Sequence, residues 1–168
     1  ITNKKSPARV FGKCSQAFTS QTYAYEEMWS TPIEGGTFDV EDRVRALLTD
    51  ASGTTFQFDV AWATHLPENT LKDGLLIEGT EGALVVDLWA DEMILGFSEN
   101  GKPMQETITC KVTEAWDDAF QGEHRAFASA MATNNLDSNA GTGEDGRLVQ
   151  HVVESIYSSA DLGQEVKI

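Results

Sequence analysis

Cationic residues are scarce in this chain: 12 Lys and Arg stand against 27 Asp and Glu, for a formal net charge of −15 over 168 residues. That balance excludes nucleic acid and anionic membrane surfaces as main partners, because phosphate binding needs clustered Lys and Arg. Cysteine is just as sparse. Cys14 and Cys110 have neither metal-type spacing nor the density of a disulfide framework, so two buried thiols in a reducing compartment are expected. The three histidines, His65, His124 and His151, are separated by whole elements and no His-Glu-x-x-His pattern exists, so no metal site is expected. No apolar run approaches a membrane span, and Ile1-Thr2-Asn3-Lys4-Lys5 has no apolar stretch of the kind a signal peptide needs. A soluble, cytoplasmic protein is expected. Its opening on Ile1 rather than Met points to a fragment or a processed product.

The length suits one domain, residues 1–168, with a core of its own. The last stretch organises it. Thr142 is placed to accept from the backbone N–H of Asp145, and Glu144 and Asp145 add negative charge to a first helical turn. Leu148, Val152 and Ile156, with Val149, Val153 and Ala160 beside them, recur at three- and four-residue spacing and form one apolar stripe. Gly163 is placed to end that helix in the left-handed conformation, and Gln164-Glu165-Val166-Lys167-Ile168 alternates as a short strand does.

Upstream, residues 7–18 read as a strand and residues 19–36 as a long loop. Residues 40–49 and 54–64 form a hairpin through Asp50-Ala51-Ser52-Gly53, with glycine where positive φ is needed. A three-residue loop pairs Leu48 with Phe56, Ala46 with Phe58 and Val44 with Val60, and sets Leu47 against Gln57 and Arg45 against Asp59. A loop one residue longer would mix the two faces, so the first register is expected. A second hairpin joins Leu75-Leu76-Ile77 to Ala83-Leu84-Val85-Val86, and a third turns at Asn100-Gly101. Trp116, Phe120, Phe127 and Met131 then follow helical spacing up to Asn134-Asn135, with His124 on the same stripe as a core or boundary residue. Strands followed by two helices predict an α+β domain: a largely antiparallel sheet with helices on one face and an open second face. That open face presents Arg43, Arg45, Leu47, Gln57 and Asp59, a set suited to packing on a second copy.

Signals of chemistry are few. Gly141-Thr142-Gly143-Glu144-Asp145-Gly146 has the glycine spacing of a dinucleotide fingerprint, but no apolar strand precedes it and two carboxylates occupy the place of a pyrophosphate. It is expected to be a helix start. Glu41 and Asp42 are neighbours on a strand, point to opposite faces and cannot share a proton. Trp62 is expected in the core, and His65 follows it at a strand end, running into a loop where functional side chains concentrate.

Read in order, Phe38-Asp39-Val40-Glu41-Asp42, the Asp-Ala-Ser-Gly hairpin with Trp62, Ile77-Glu78-Gly79-Thr80-Glu81-Gly82, and Gly143-Glu144-Asp145-Gly146 through Ser155-Ile156-Tyr157-Ser158-Ser159-Ala160 to Val166 resemble a known domain. It is similar to the C-terminal domain of the glucose-fructose oxidoreductase, inositol dehydrogenase and rhizopine-catabolism (Gfo/Idh/MocA) family. The resemblance implies a parent polypeptide with an N-terminal Rossmann domain for NAD or NADP, and hydride transfer on a sugar, polyol or related hydroxy compound. The family's Glu-Lys-Pro motif and catalytic helix have no counterpart in these residues. The resemblance therefore implies no catalytic residue and no cofactor in this chain. Trp62, His65 and Lys72, at or just beyond a strand end, become candidates for the substrate-cleft wall. Arg43, Arg45, Gln57 and Asp59 become candidates for a homo-oligomer face. The alternative expectation is a stand-alone binding or assembly module with no Rossmann partner.

Overall fold

The computed structural model describes residues 6–17, 39–67, 70, 73–109, 115–135 and 141–168. The loop expected at 19–36, Cys110 and Lys72 lie outside them, as does the side chain of Trp116. The element order is β1 (Pro7–Ser15), β2 (Arg43–Asp50), β3 (Thr55–Ala61), β4 (Gly74–Glu78), β5 (Gly82–Asp87), β6 (Glu92–Glu99), β7 (Lys102–Thr109), α1 (Ala115–Thr133), α2 (Gly143–Leu162) and β8 (Val166–Lys167). This is the α+β architecture expected, with every strand pairing antiparallel. The single sheet expected is instead two four-stranded sheets, ordered β3-β2-β1-β8 and β4-β5-β6-β7. Between Ala61 and Gly74 the sequence contains Pro67 and no run of β-formers, so β3 and β4 are not joined as a hairpin. The chain divides into two compact units, one of Ile1–His65 with Gly141–Ile168 and one of Leu66–Ala140.

In the first unit, α2 lies over the β3-β2-β1-β8 sheet. Val10, Ala46 and Leu48 form its buried centre, with Phe56, Val152, Ile156, Val166 and Ile168 packed against them. Each large aliphatic side chain moved from water into such a centre contributes about 1.5–3 kcal/mol. The helix can approach β1 because residue 12 is glycine: a Cβ there would stand 2.8 Å from the carbonyl oxygen of Ile156. The buried Ser159 hydroxyl then accepts from the Gly12 N–H at 2.9 Å and donates to the Gln164 carbonyl at 2.6 Å, tying helix, first strand and closing strand together.

The ends of α2 follow the sequence. Thr142 and Asp145 form a reciprocal capping box, and Gly163 adopts φ 64° and ψ 26° at the C-terminus. The β2–β3 pairing is the predicted register, Leu48 with Phe56, Ala46 with Phe58, Val44 with Val60, Leu47 with Gln57 and Arg45 with Asp59. Its turn is held by Asp50, whose carboxylate accepts from the backbone N–H groups of Ser52 and Thr54, each at 2.8 Å, while Gly53 takes φ 89°.

The second unit contains a meander of three hairpins. Leu75 pairs with Val86, Ile77 with Leu84, and Glu99 with Lys102 across the Asn100-Gly101 turn. Both turn residues have positive φ, 51° and 75°, as a type I′ turn requires. The α1 helix ends at Asn134, also left-handed, where the sequence places a stop. Its apolar stripe departs from expectation: Phe120, Phe127 and Met131 are exposed, and so is His124, whose Nδ1 lies 2.7 Å from the Phe120 carbonyl oxygen.

Candidate functional site

Two surfaces of the first unit carry the features a function could use. The first is the sheet face turned away from α2. Strand alternation places Arg9, Phe11 and Lys13 of β1 there, beside Arg43, Arg45 and Leu47 of β2 and Gln57 and Asp59 of β3. Lys167 joins them opposite Arg9. Arg43 grips Asp59 with both Nε and Nη2, at 2.8 and 2.7 Å, and Arg45 Nε adds a bond at 3.2 Å. The Arg43 hydrogen bond, with that of Arg45 behind it, holds the Asp59 carboxyl below the usual carboxylate range despite some desolvation. Arg9 takes Glu165 at 2.6 Å. Three of the four expected face residues, Arg43, Arg45 and Asp59, are thus brought into one ion-pair network, and Gln57 sits beside it opposite Leu47. At the centre Phe11 and Leu47 are 49% and 48% exposed, large apolar groups ringed by charge.

The second surface is a cleft of about 560 Å³ on the helix side. Its walls are Val44, Leu48, Phe56, Phe58 and Val60 from the sheet, and Leu148, Val149, Val152, Val153 and Ile156 from α2. At one end Tyr157 donates its hydroxyl to the Glu41 carboxylate at 2.5 Å. That bond, with lesser help from burial, pushes the Tyr157 phenol up to about 12. Trp62 sits behind the same corner: its indole Nε1–H donates to the Glu41 carbonyl at 2.6 Å and its backbone N–H to that of Asp42. Trp62 is therefore not a core residue but a strand-end side chain, half open to solvent and folded back across the start of β2.

The acidic neighbours do diverge. Glu41 faces Tyr157, whereas Asp42, fully buried, accepts from the Ala17 N–H at 2.5 Å. His65 is exposed beyond the end of β3. Cys14 is only half-buried, and burial followed by the Glu41 and Asp161 carboxylates pushes its thiol up, which makes it a poor nucleophile. Among the described residues no three His, Cys, Asp or Glu side chains gather as a metal site would require. The start of α2 does not fit a pyrophosphate: Asp145 fills it, accepting from the N–H and the hydroxyl of Thr142 at 2.9 and 2.7 Å. The Glu41–Tyr157 bond, which links residues 116 apart, has no local sequence signal; only the place of Tyr157 at the edge of the α2 stripe hints at it.

Solved structures described as oxidoreductases share this α+β arrangement. A levoglucosan dehydrogenase in complex with NADH and L-sorbose matches over 97% of this chain at a TM-score of 0.77 and 18% identity. An aldose-aldose oxidoreductase from Caulobacter crescentus, complexed with glycerol, matches over 98% at 0.66 and 18% identity. A super-repressor mutant of Gal80p from Saccharomyces cerevisiae matches over 97% at 0.69 and 14% identity. The chain spans less than half of each, 45%, 42% and 44% respectively. No protein-family profile and no curated protein sequence matches it.

Proposed function

We propose that these residues form the sheet portion of a larger NAD(P)-dependent oxidoreductase, lining its substrate cleft and mediating its self-association. The observation that carries the reading is the fold shared with a levoglucosan dehydrogenase that binds NADH, over 45% of that protein's length. The reaction is hydride transfer between a nicotinamide and a sugar, polyol or related hydroxy compound. NAD or NADP supplies the hydride chemistry and is held by the remainder of the polypeptide; this portion supplies positioning. Trp62 and His65, at and just beyond the end of β3, contribute to the wall of the substrate cleft, Trp62 offering an aromatic face already fixed by its bonds to the start of β2. Arg43, Arg45, Gln57 and Asp59, around Phe11 and Leu47, form the homo-oligomer face. The protein acts in the cytoplasm.

The test is absorbance at 340 nm with the full polypeptide that contains these residues, NAD or NADP, and a panel of aldoses and polyols. Reduction of the nicotinamide with at least one of them is the expected result, and none with a folded protein would sink the reading. A second reading is favoured by one observation, the match to Gal80p, a protein described as a repressor. On that reading the chain is a non-enzymatic binding or assembly module that uses the open sheet face. That module stands alone without a Rossmann partner, so a full polypeptide that binds neither NAD nor NADP and turns over none of the substrates would favour it.

A further inference from the structure

The peptide that joins Glu41 to Asp42 is held on both edges. Its N–H donates to the Ser15 carbonyl at 2.9 Å, and its carbonyl accepts from the Trp62 indole at 2.6 Å. The last ladder pair of β2 and β3 is Arg43 with Ala61, so this peptide and Trp62 both stand beyond the regular pairing of the sheet. A single bond from its N–H leaves such a peptide able to turn about that bond. The second anchor comes from α2. Tyr157 donates to the Glu41 carboxylate at 2.5 Å, and its phenol, pushed up to about 12, keeps that proton at neutral pH. The helix is thereby tied to the aromatic ring through one residue, hydroxyl to carboxylate on one side of Glu41 and carbonyl to indole on the other.

Trp62 is 42% exposed, and its one ring donor is already used, so what it offers outward is a π face rather than a hydrogen bond. That face is electron-rich. The C–H groups on one side of a sugar ring, with the hydroxyls standing out around its rim, complement it, whereas an open-chain polyol presents no such flat face. A platform fixed before the ligand arrives also spares the ordering cost of a loose side chain. On the reading that Trp62 contributes to the wall of the substrate cleft, we infer that Tyr157, acting through Glu41, is a positioning residue that sets Trp62 as a stacking platform for the C–H face of a cyclic sugar.

The test is steady-state kinetics on the full polypeptide that contains these residues, with nicotinamide saturating and a cyclic sugar that it turns over as the varied substrate. Trp62→Ala raises KM about tenfold. Tyr157→Phe raises it about fivefold with kcat nearly unchanged. The double variant loses no more than Trp62→Ala alone, because Tyr157 acts through the ring. Glu41→Gln keeps an acceptor for the Tyr157 hydroxyl and retains a KM near that of the wild type. Glu41→Leu removes the acceptor, repeats the effect of Tyr157→Phe and replaces that variant should it fail to fold. Tyr157→Phe also shifts the tryptophan emission, and the shift disappears in a Trp62→Phe background. Turnover with KM indifferent to Trp62→Ala or Tyr157→Phe, additive losses in the double variant, or turnover of open-chain polyols alone would overturn the inference and leave the oxidoreductase reading intact. A folded polypeptide that turns over none of the substrates would overturn both.

Discussion

Ser159 and Gly12 show how much of the first unit rests on single atoms. Replacing Ser159 with Ala leaves the Gly12 N–H without its buried acceptor, which costs about 1–3 kcal/mol of stability, measurable as a lower urea midpoint. Gly12→Ala is also destabilising, since its Cβ would stand 2.8 Å from the Ile156 carbonyl and push the helix off the sheet. Neither residue stands out in the sequence, because their contact joins positions 147 apart. Asp50 was legible, since a hairpin loop ending in glycine calls for a short acidic acceptor at its first position. Partial burial would raise its pKa, but the bonds from Ser52 and Thr54 outweigh it and hold the carboxyl at about 2. The folded value lies below the unfolded one, so this contribution is fully present above about pH 4 and is lost as pH falls toward 2. Urea melts of the wild type should weaken across that window, and Asp50→Asn should flatten that part of the decline while lowering the midpoint at neutral pH.

At the scale of elements, the signals that proved readable are local ones. The capping box, the left-handed Gly163 and the Asn100-Gly101 turn each depend on residues within a few positions of one another, and each lies where the sequence places it. Thr142→Ala should remove the side-chain acceptor for the Asp145 N–H and cost about 1 kcal/mol, read from thermal melts followed at 222 nm. The register of β2 and β3 was readable too, because only one pairing separates Arg45 from Phe58. The spacing on α1 predicts the helix but not the exposure of its stripe, for a physical reason. Helical periodicity shows which side chains a helix would bury together, but not what surface covers them, and Phe127 is exposed. The same limit applies to the strands: their antiparallel pairing is local, whereas whether seven strands and a short eighth make one sheet or two depends on pairings across long connections.

Over the molecule as a whole, charge is unevenly spread. Among the described residues, Arg9, Lys13, Arg43, Arg45 and Lys167 gather on one sheet face with Asp59 and Glu165 among them, in a chain of net charge −15. The self-association proposed for that face should therefore respond to its charge. Arg45→Glu should lower the dimer fraction in sedimentation equilibrium while leaving the thermal midpoint nearly unchanged, because Arg45 is exposed and Arg43 still holds Asp59. The register that sets Arg43, Arg45, Gln57 and Asp59 on one face is legible in the sequence, but the Glu41–Tyr157–Trp62 corner and the cleft beside it are not, since they arise only where α2 meets the sheet. No described helix is long and apolar enough to cross a membrane.

The central claim is that these residues are the sheet portion of a nicotinamide-dependent oxidoreductase whose cofactor is held elsewhere in the polypeptide. The most direct measurement is a fluorescence titration with NADH and NADPH, run in parallel on the 168-residue chain and on the full polypeptide that contains it. The account predicts saturable binding of one of the two by the full polypeptide and none by the isolated chain. Tight, saturable binding by the isolated chain, or no binding by the folded full polypeptide, would contradict it.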